Sequence, residues 1–310
     1  MLSRIAESLF WIGRYVERAD DTARIVDAHL QYLLEDPWME EDGACRELLA
    51  VMGAPPPPED TEATRTTVLD MLAYDRTAPG SIAGALAAAR ENARRAREVL
   101  SSELWECLNS SWNALPGRIR ASSPHEYFGW VRERAAIVGG ITDAATRRDD
   151  TLQFFLLGRS IERADMTARL VTSHTLAGGS GPGWTTLLRS CGAHEAFLRT
   201  YRGRDSEALA AEFLLLDRLF PRSVLFSLEQ AERCLGRLAP IDGRGLGEED
   251  ARKVLGRVRS RLEYQPLLSL LGSLTDEMVA VQEGCSEASD AIRLRYFPSD
   301  VAEDWIGDRL

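Results

Sequence analysis

Phe10-Trp11-Ile12-Gly13-Arg14-Tyr15-Val16-Glu17-Arg18-Ala19-Asp20-Asp21-Thr22-Ala23-Arg24-Ile25-Val26-Asp27-Ala28-His29 realigns, without a gap, on Phe155 to His174, and twelve of the 20 positions are identical. Both copies read G-R-x-x-E-R-A-D-x-T-A-R. Laid on a helix advancing about 100° per residue, the block has two sides. Trp11, Ile12, Tyr15, Val16, Ala19, Thr22, Ala23 and Val26 share one. Gly13, Arg14, Glu17, Arg18, Asp20 and Arg24 share the other, repeated by Gly158, Arg159, Glu162, Arg163, Asp165 and Arg169.

Working outward, Leu48-Leu49-x-x-x-Gly53-Ala54 returns as Leu187-Leu188-x-x-x-Gly192-Ala193. Asp75-Arg76-x-x-Pro79-x-Ser81-Ile82 returns as Asp217-Arg218-x-x-Pro221-x-Ser223-Val224. The blocks keep their order, so the expected fold is all-α: a pseudo-symmetric helical bundle built from two duplicated halves, 1–146 and 147–310, sharing one core. Strand-type alternation is absent.

Helices are expected at 3–35 with Pro37 as stop, at 43–52, and from a Thr61 cap after the proline-rich linker 53–60. One long helix is expected from Ser81 to about 114, ended by Pro116-Gly117. Ser123-Pro124-His125-Glu126 reads as a capping box with proline in the first turn. Asp149 or Asp150 opens the helix of the second block, and 178–183 reads as a glycine-rich break. Further helices follow at 184–200, 206–218, 222–238 and 248–264. Pro266 interrupts, a last helix runs to Tyr296, and 297–310 is weakly patterned. Asp75/Ser81 and Asp217/Ser223 read as helix-start chemistry.

Composition narrows the function classes. A chain of 310 residues, 45% hydrophobic and 27% charged, is ordinary for a globular protein. Its net charge of −11, without basic clustering, argues against a nucleic-acid partner. No apolar run is long enough for a membrane span and no signal peptide is visible, so a cytoplasmic protein is expected. The five cysteines are far apart with no C-x-x-C, which reads as buried reduced thiols.

The polar face admits three readings. A solvated face would hold intrahelical pairs worth about 0.2–0.5 kcal/mol each and would drift between copies. Instead it is nearly unchanged, while apolar neighbours vary and Asp21 has become Met166. A structural latch would cross the two helices, with Glu17 pairing to arginine of the second copy and Glu162 to arginine of the first, Gly13 and Gly158 allowing close approach. A binding cleft would use the arginines as forked donors for a peptide, carboxylate or phosphate ligand. The binding candidates are Arg14, Glu17, Arg18, Asp20, Arg24, Arg159, Glu162, Arg163, Asp165 and Arg169.

Glu17 and Glu162 are the only catalytic candidates, and neighbouring arginines would keep both ionised, against a proton-donor role. No Glu-x-x-His of the di-iron type occurs, so neither a metal nor a cofactor is expected. Nucleotide-loop, nucleophile-elbow and zinc-protease motifs are missing. His29 and His174, at equivalent positions, read as packed histidines, and His125 and His194 as local. Arg94–Glu98 reads as a helical pair, and Asn92 and Asn109 as hydrogen-bonded residues.

The chain resembles the alpha-E family, bacterial helical proteins with an E-R motif. The resemblance rests on Leu2-Ser3-Arg4-x-Ala6-Glu7-x-Leu9-x-Trp11-x-Gly13-Arg14-x-x-Glu17-Arg18-Ala19, Ala89-Arg90-Glu91-Asn92-Ala93-Arg94 and Ser102-Glu103-Leu104-Trp105-Glu106. Gly158-Arg159-x-x-Glu162-Arg163-Ala164-Asp165 and Phe220-Pro221-Arg222-Ser223-Val224 continue it. It implies association with a circularly permuted ATP-grasp ligase and transglutaminase-like proteins, acting here in trans. The expected role is a non-catalytic accessory or substrate-presenting partner of an amide or peptide ligase. An amide-chemistry enzyme using Glu17 or Glu162, and a purely structural scaffold, are the alternatives.

Overall fold

A computed structural model of the protein describes residues 1–35, 40–58, 60–176, 183–204, 206–238 and 250–298. Those residues are helical nearly throughout, with no β-strand among them. Two long helices organise the rest: α1 (Ser3–Glu35) and α7 (Asp150–Leu176). They carry the two copies of the repeated block and form the most extensive helix pair.

Between them lie α2 (Glu41–Val51), α3 (Arg65–Val68) with a π-helical turn (Leu69–Tyr74), α4 (Ile82–Arg95), α5 (Ser102–Ala121) and α6 (Pro124–Ala145). After α7 come α8 (Trp184–Ser190), α9 (His194–Tyr201), α10 (Glu207–Leu216), α11 (Val224–Leu238), α12 (Ala251–Tyr264), α13 (Leu267–Gly272) and α14 (Leu274–Tyr296). Helices α4, α6 and α8 pack on α1, whereas α11, α14 and α2 pack on α7. The larger of two apolar clusters among the described residues runs from Ile5 to Phe297 through both central helices. Its large members, such as Phe10, Tyr127, Phe197 and Phe213, are at most 2% exposed. Full burial of one such side chain is worth about 1.5–3 kcal/mol. A smaller cluster of Ile12, Val16, Leu104, Leu108, Val138 and Phe155 lies under α4 to α6.

Local chemistry sets the boundaries. Ser123 Oγ accepts from the Glu126 N–H at 3.4 Å and the Glu126 carboxylate accepts from the Ser123 N–H at 2.8 Å, the expected capping box. Ser81 Oγ accepts from Gly84 N–H at 2.9 Å, and Ser223 Oγ from Phe226 N–H at 3.1 Å. Each serine also donates to the carbonyl of Asp75 or Asp217.

Five expectations are corrected. The helix after the proline-rich linker is capped by Thr64, not Thr61: Thr64 and Thr67 close a reciprocal box. The expected single helix from Ser81 to 114 is two helices. Ala96 leaves helical geometry and Ser101 opens a new N-terminus by accepting from Leu104 N–H. Glu98 therefore lies beyond α4, and Arg94 pairs with Glu91 at 2.8 Å. Pro116 does not end α5, which runs to Ala121 because Leu115 is fully buried and Ile119 packs on the core. One missing N–H is outweighed by that burial.

The segment expected as one helix over 184–200 is broken at Gly192, whose φ of 61° is a left-handed conformation that glycine adopts freely. Gly53 does the same at 68°. Asn92 Nδ2 donates to Ala88 O at 2.9 Å and Asn109 accepts from Arg90 at 3.2 Å, as expected of such helical asparagines. Pro37, residues 178–182 and the tail beyond 298 lie outside the described residues. All five cysteines are free and buried, and burial pushes Cys45 up to about 11 and Cys191 to about 12. Such thiols are inert.

Candidate functional site

The repeated polar faces meet where α1 crosses α7. Backbone approach comes first. A methyl group at Gly13 would overlap the Phe155 carbonyl oxygen, and one at Gly158 would overlap that of Phe10. Only glycine at both positions lets the helices lie this close. That proximity carries each glutamate into the arginines of the facing helix.

Glu162 is 1% exposed. Arg14 Nε donates to it at 2.6 Å and Arg18 Nε and Nη2 at 2.5 and 3.0 Å. Arg14 also donates to Ser289 on α14 at 3.1 Å. Burial alone would raise the Glu162 carboxyl, but Arg14 and Arg18 outweigh it and hold it below the usual range.

Glu17 is 3% exposed and faces the opposite way. Arg163 grips it through Nε and, at 2.9 Å, Nη2. Its second cation is Arg222, in the turn before α11, at 3.0 Å. Against a burial penalty, Arg163 and Arg222 hold Glu17 down at about 2. Arg222 further donates to Asp20 and Asp21. Asp21 is 6% exposed, and burial raises it to about 8, beyond what Arg222 can offset, with Glu17 and Asp20 adding repulsion. Glu17, Asp20 and Asp21 bring carboxylate oxygens within 4.8 Å of one another. Cation-holding geometry is present, but the guanidinium of Arg222 already supplies the cation.

The remaining candidates divide. Arg24 pairs with Asp20 at 3.1 Å and Arg169 with Asp165 at 2.8 Å, both one turn apart on their own helix. Arg24 Nη1 lies against the Gly192 turn, as Arg169 Nη1 lies against the Gly53 turn. Asp165 is pushed up by burial, Arg169 working against it. Arg159 stands apart. Its guanidinium lies over Phe155 at 5.8 Å, and no carboxylate pairs with it among the described residues. Burial and the neighbouring Arg163 lower its pKa.

His29 is buried with an unpaired Nε2, and burial lowers it to about 4, so it is neutral. His174 packs edge-on against Trp184, ring centroids 4.7 Å apart.

Two participants escaped the sequence reading: Arg222 and Asp21. A signal for them exists in the alignment of the repeats. Arg222 stands opposite Gly80 and Asp21 opposite Met166, so one copy has both residues and the other has neither. Also unforeseen was the buried Asp27, which takes His125 Nδ1 at 2.9 Å and Arg132 Nη1 at 3.1 Å.

With the crossed E-R geometry in view, the family follows. Residues 1–297 match the alpha-E family, described as a predicted alpha-helical domain with a conserved ER motif, and the chain belongs to it. Uncharacterized proteins of Mycobacterium bovis and of two Mycobacterium tuberculosis strains are 23% identical to it over 321 aligned positions, covering 93% of this chain. The chain spans about a third of the length of these curated relatives, 36%. No solved structure matches it. Among the described residues, no helix is long and apolar enough to cross a membrane.

Proposed function

We propose that this chain is a non-catalytic helical scaffold of two duplicated halves, 1–146 and 147–310, that works in the cytoplasm as the accessory partner of an ATP-grasp-type amide or peptide ligase. One observation carries the non-catalytic reading. Glu17 and Glu162 are buried, and each is closed off by two arginines. A carboxylate held ionised and out of reach of solvent has no proton to give and no access to a substrate. This disfavours an amide-chemistry enzyme built on either glutamate.

The duplication is supported by correspondences between the halves. The turns at Gly53 and Gly192 share one hydrogen-bond pattern: Ala54 N–H to Leu49 O at 2.9 Å, and Ala193 N–H to Leu188 O at 2.7 Å. Helices α4, α5 and α6 are placed about α1 as α11, α12 and α14 are about α7. Helix α2 packs on α7 while α8 packs on α1, so each half places a short helix on the other's central helix. Their separation would expose both latches.

The accessory role rests on the family resemblance, and on the relatives being much longer than the family unit, as expected of a module that serves other domains. The test is co-expression with a circularly permuted ATP-grasp ligase, measuring co-purification and ATP-dependent amide formation with wild-type, Glu17→Gln and Glu162→Gln chains. Ligase activity should follow the folded fraction of each variant. Loss of activity at full folding and full ligase binding would overturn the non-catalytic reading, and failure of the wild type to bind the ligase would overturn the partnership.

A further inference from the structure

Arg159 of the second block aligns with Arg14 of the first, yet the two arginines keep different company. Arg14 donates from Nε to Glu162 and from Nη1 to the Ser289 hydroxyl on α14. Both partners are missing at Arg159. Glu17, the match of Glu162, is closed by Arg163 and Arg222. On α6 the residue beside Arg159 Nη1 is Gly139, which offers no hydroxyl. Ser123 and Ser273 stand at the N-caps of α6 and α14, and counted from them Gly139 and Ser289 hold the same position. The serine that satisfies one arginine is thus a glycine beside the other.

The result is an open cation. Among the described residues no N–H of Arg159 meets an acceptor and no carboxylate pairs with it, and none of its nitrogens is sealed from water. The side chain is half-buried, with its guanidinium over the Phe155 ring and Cys234 of α11 nearby. Packing is looser on this side. Helix α14 packs on α7 and also meets α1, whereas α6 packs on α1 with no comparable meeting with α7. Burial and Arg163 both work against the charge of Arg159, and an incoming anion would relieve that. A guanidinium is a planar fork that matches the two oxygens of a carboxylate, the group Arg14 already holds.

We infer that Arg159 binds a single carboxylate, seated on its guanidinium between α6 and α11. A phosphate dianion fits less well, because its second charge would face Glu17, which is ionised and within reach of Arg159. The inference is independent of the ligase partnership, since it needs only the isolated chain. A carboxylate can come from a free small acid or from the carboxyl end of a peptide, and one titration separates the two.

The test is NMR of the full chain carrying isotope-labelled arginine, at low ionic strength, about 0.01–0.05 M, where screening is weakest. The Arg159 Nε–H signal is the one that Arg159→Gln removes. The probes are acetate, N-acetyl-alanyl-alanine, the same dipeptide as its C-terminal amide, and inorganic phosphate. The signal should move with acetate or the free dipeptide, with a midpoint of about 1 mM, the scale of two charge-assisted hydrogen bonds. The amide should leave it still. Tighter binding of the dipeptide assigns a peptide end, and tighter binding of acetate a small acid. Gly139→Ser supplies the hydroxyl found at Ser289, and its Cβ would stand an ordinary 3.8 Å from Arg159 Nη1. It should raise the midpoint about tenfold, with no loss of melting temperature. Arg159→Gln should melt no lower than wild type, because it removes an unpaired charge, whereas Arg14→Gln should melt several degrees lower. A signal unmoved by acetate and dipeptide, tighter binding of phosphate, an unchanged midpoint in Gly139→Ser, or an Arg159→Gln chain as unstable as Arg14→Gln would each overturn the inference.

Discussion

The two ends of the α1–α7 crossing solve one problem differently. At one end a single glutamate, Glu162, is held by Arg14 and Arg18, both from the facing helix. At the other, Glu17 keeps Arg163 from the facing helix but takes its second cation, Arg222, from outside the repeat. Arg159, which aligns with Arg14, is left over Phe155. Arg222 brings company: Asp20 and Asp21 share it, while the position matching Asp21 holds Met166 at the same 6% exposure. The Glu162 end is thus a minimal latch, and the Glu17 end a network with spare acids. A network can redistribute charge when one member is lost, whereas a minimal latch leaves two partly buried cations unpaired.

The comparison is sharpest for the glutamates. Glu162→Gln should destabilise the fold by about 3–5 kcal/mol, the usual cost of orphaning a buried charge. Glu17→Gln should cost less, because Asp21, protonated below about pH 8, can ionise to compensate Arg163 and Arg222. Urea melts at neutral pH measure both, and equal losses would remove the distinction between the ends.

Next in size is the outside arginine. Arg222→Gly should cost about 2–4 kcal/mol, since Glu17 and Asp20 are left with one cation each, Arg163 and Arg24, and Asp21 loses its ion-pair partner. Adding Asp21→Met, which restores the pairing of residue types at the other end, should recover part of that loss. A double variant no more stable than Arg222→Gly would break the idea that Asp21 and Arg222 belong together. Gly13→Ala and Gly158→Ala probe the approach that both ends share. Each should cost about 1–3 kcal/mol, as backbone must shift to admit the methyl.

The smallest effect separates two neighbouring acids by pH. Asp21 is raised in the folded state, so its contribution is present at low pH and declines as pH climbs from about 4 to about 8. Glu17 is depressed to about 2, so its contribution is present above about pH 4.3 and lost as pH falls toward 2. Asp21→Asn should change stability by less than about 1 kcal/mol below about pH 4, where the acid is protonated folded and unfolded alike, and flatten the decline up to pH 8. An unchanged pH profile would show that Asp21 is ionised throughout.

Much of this was legible in the residues, and the rest was hidden for physical reasons. Glycine beside a repeated E-R pair, on a face that resisted drift, is what a close helix crossing demands, and both central helices follow from the 3.6-residue pattern. The split between α4 and α5 was obscured because alanine-rich turns such as Ala93–Ala96 favour helix as strongly as what precedes them. Pro116 misled because burial of Leu115 and Ile119, a tertiary effect, overrides its local cost. Arg222 lies over 200 positions from Asp20, and no periodicity reports a contact of that kind. His125 and His194 looked unrelated until the fold placed both at one cavity.

The most direct measurement of the central claim is a double-mutant cycle on Arg18→Gln and Glu162→Gln, read by urea unfolding. The two side chains lie 144 residues apart and make a two-point contact across the crossing. A buried latch predicts a coupling energy near the upper end of about 0.5–3 kcal/mol. Additive losses, with coupling near zero, would contradict it and return the E-R face to solvent.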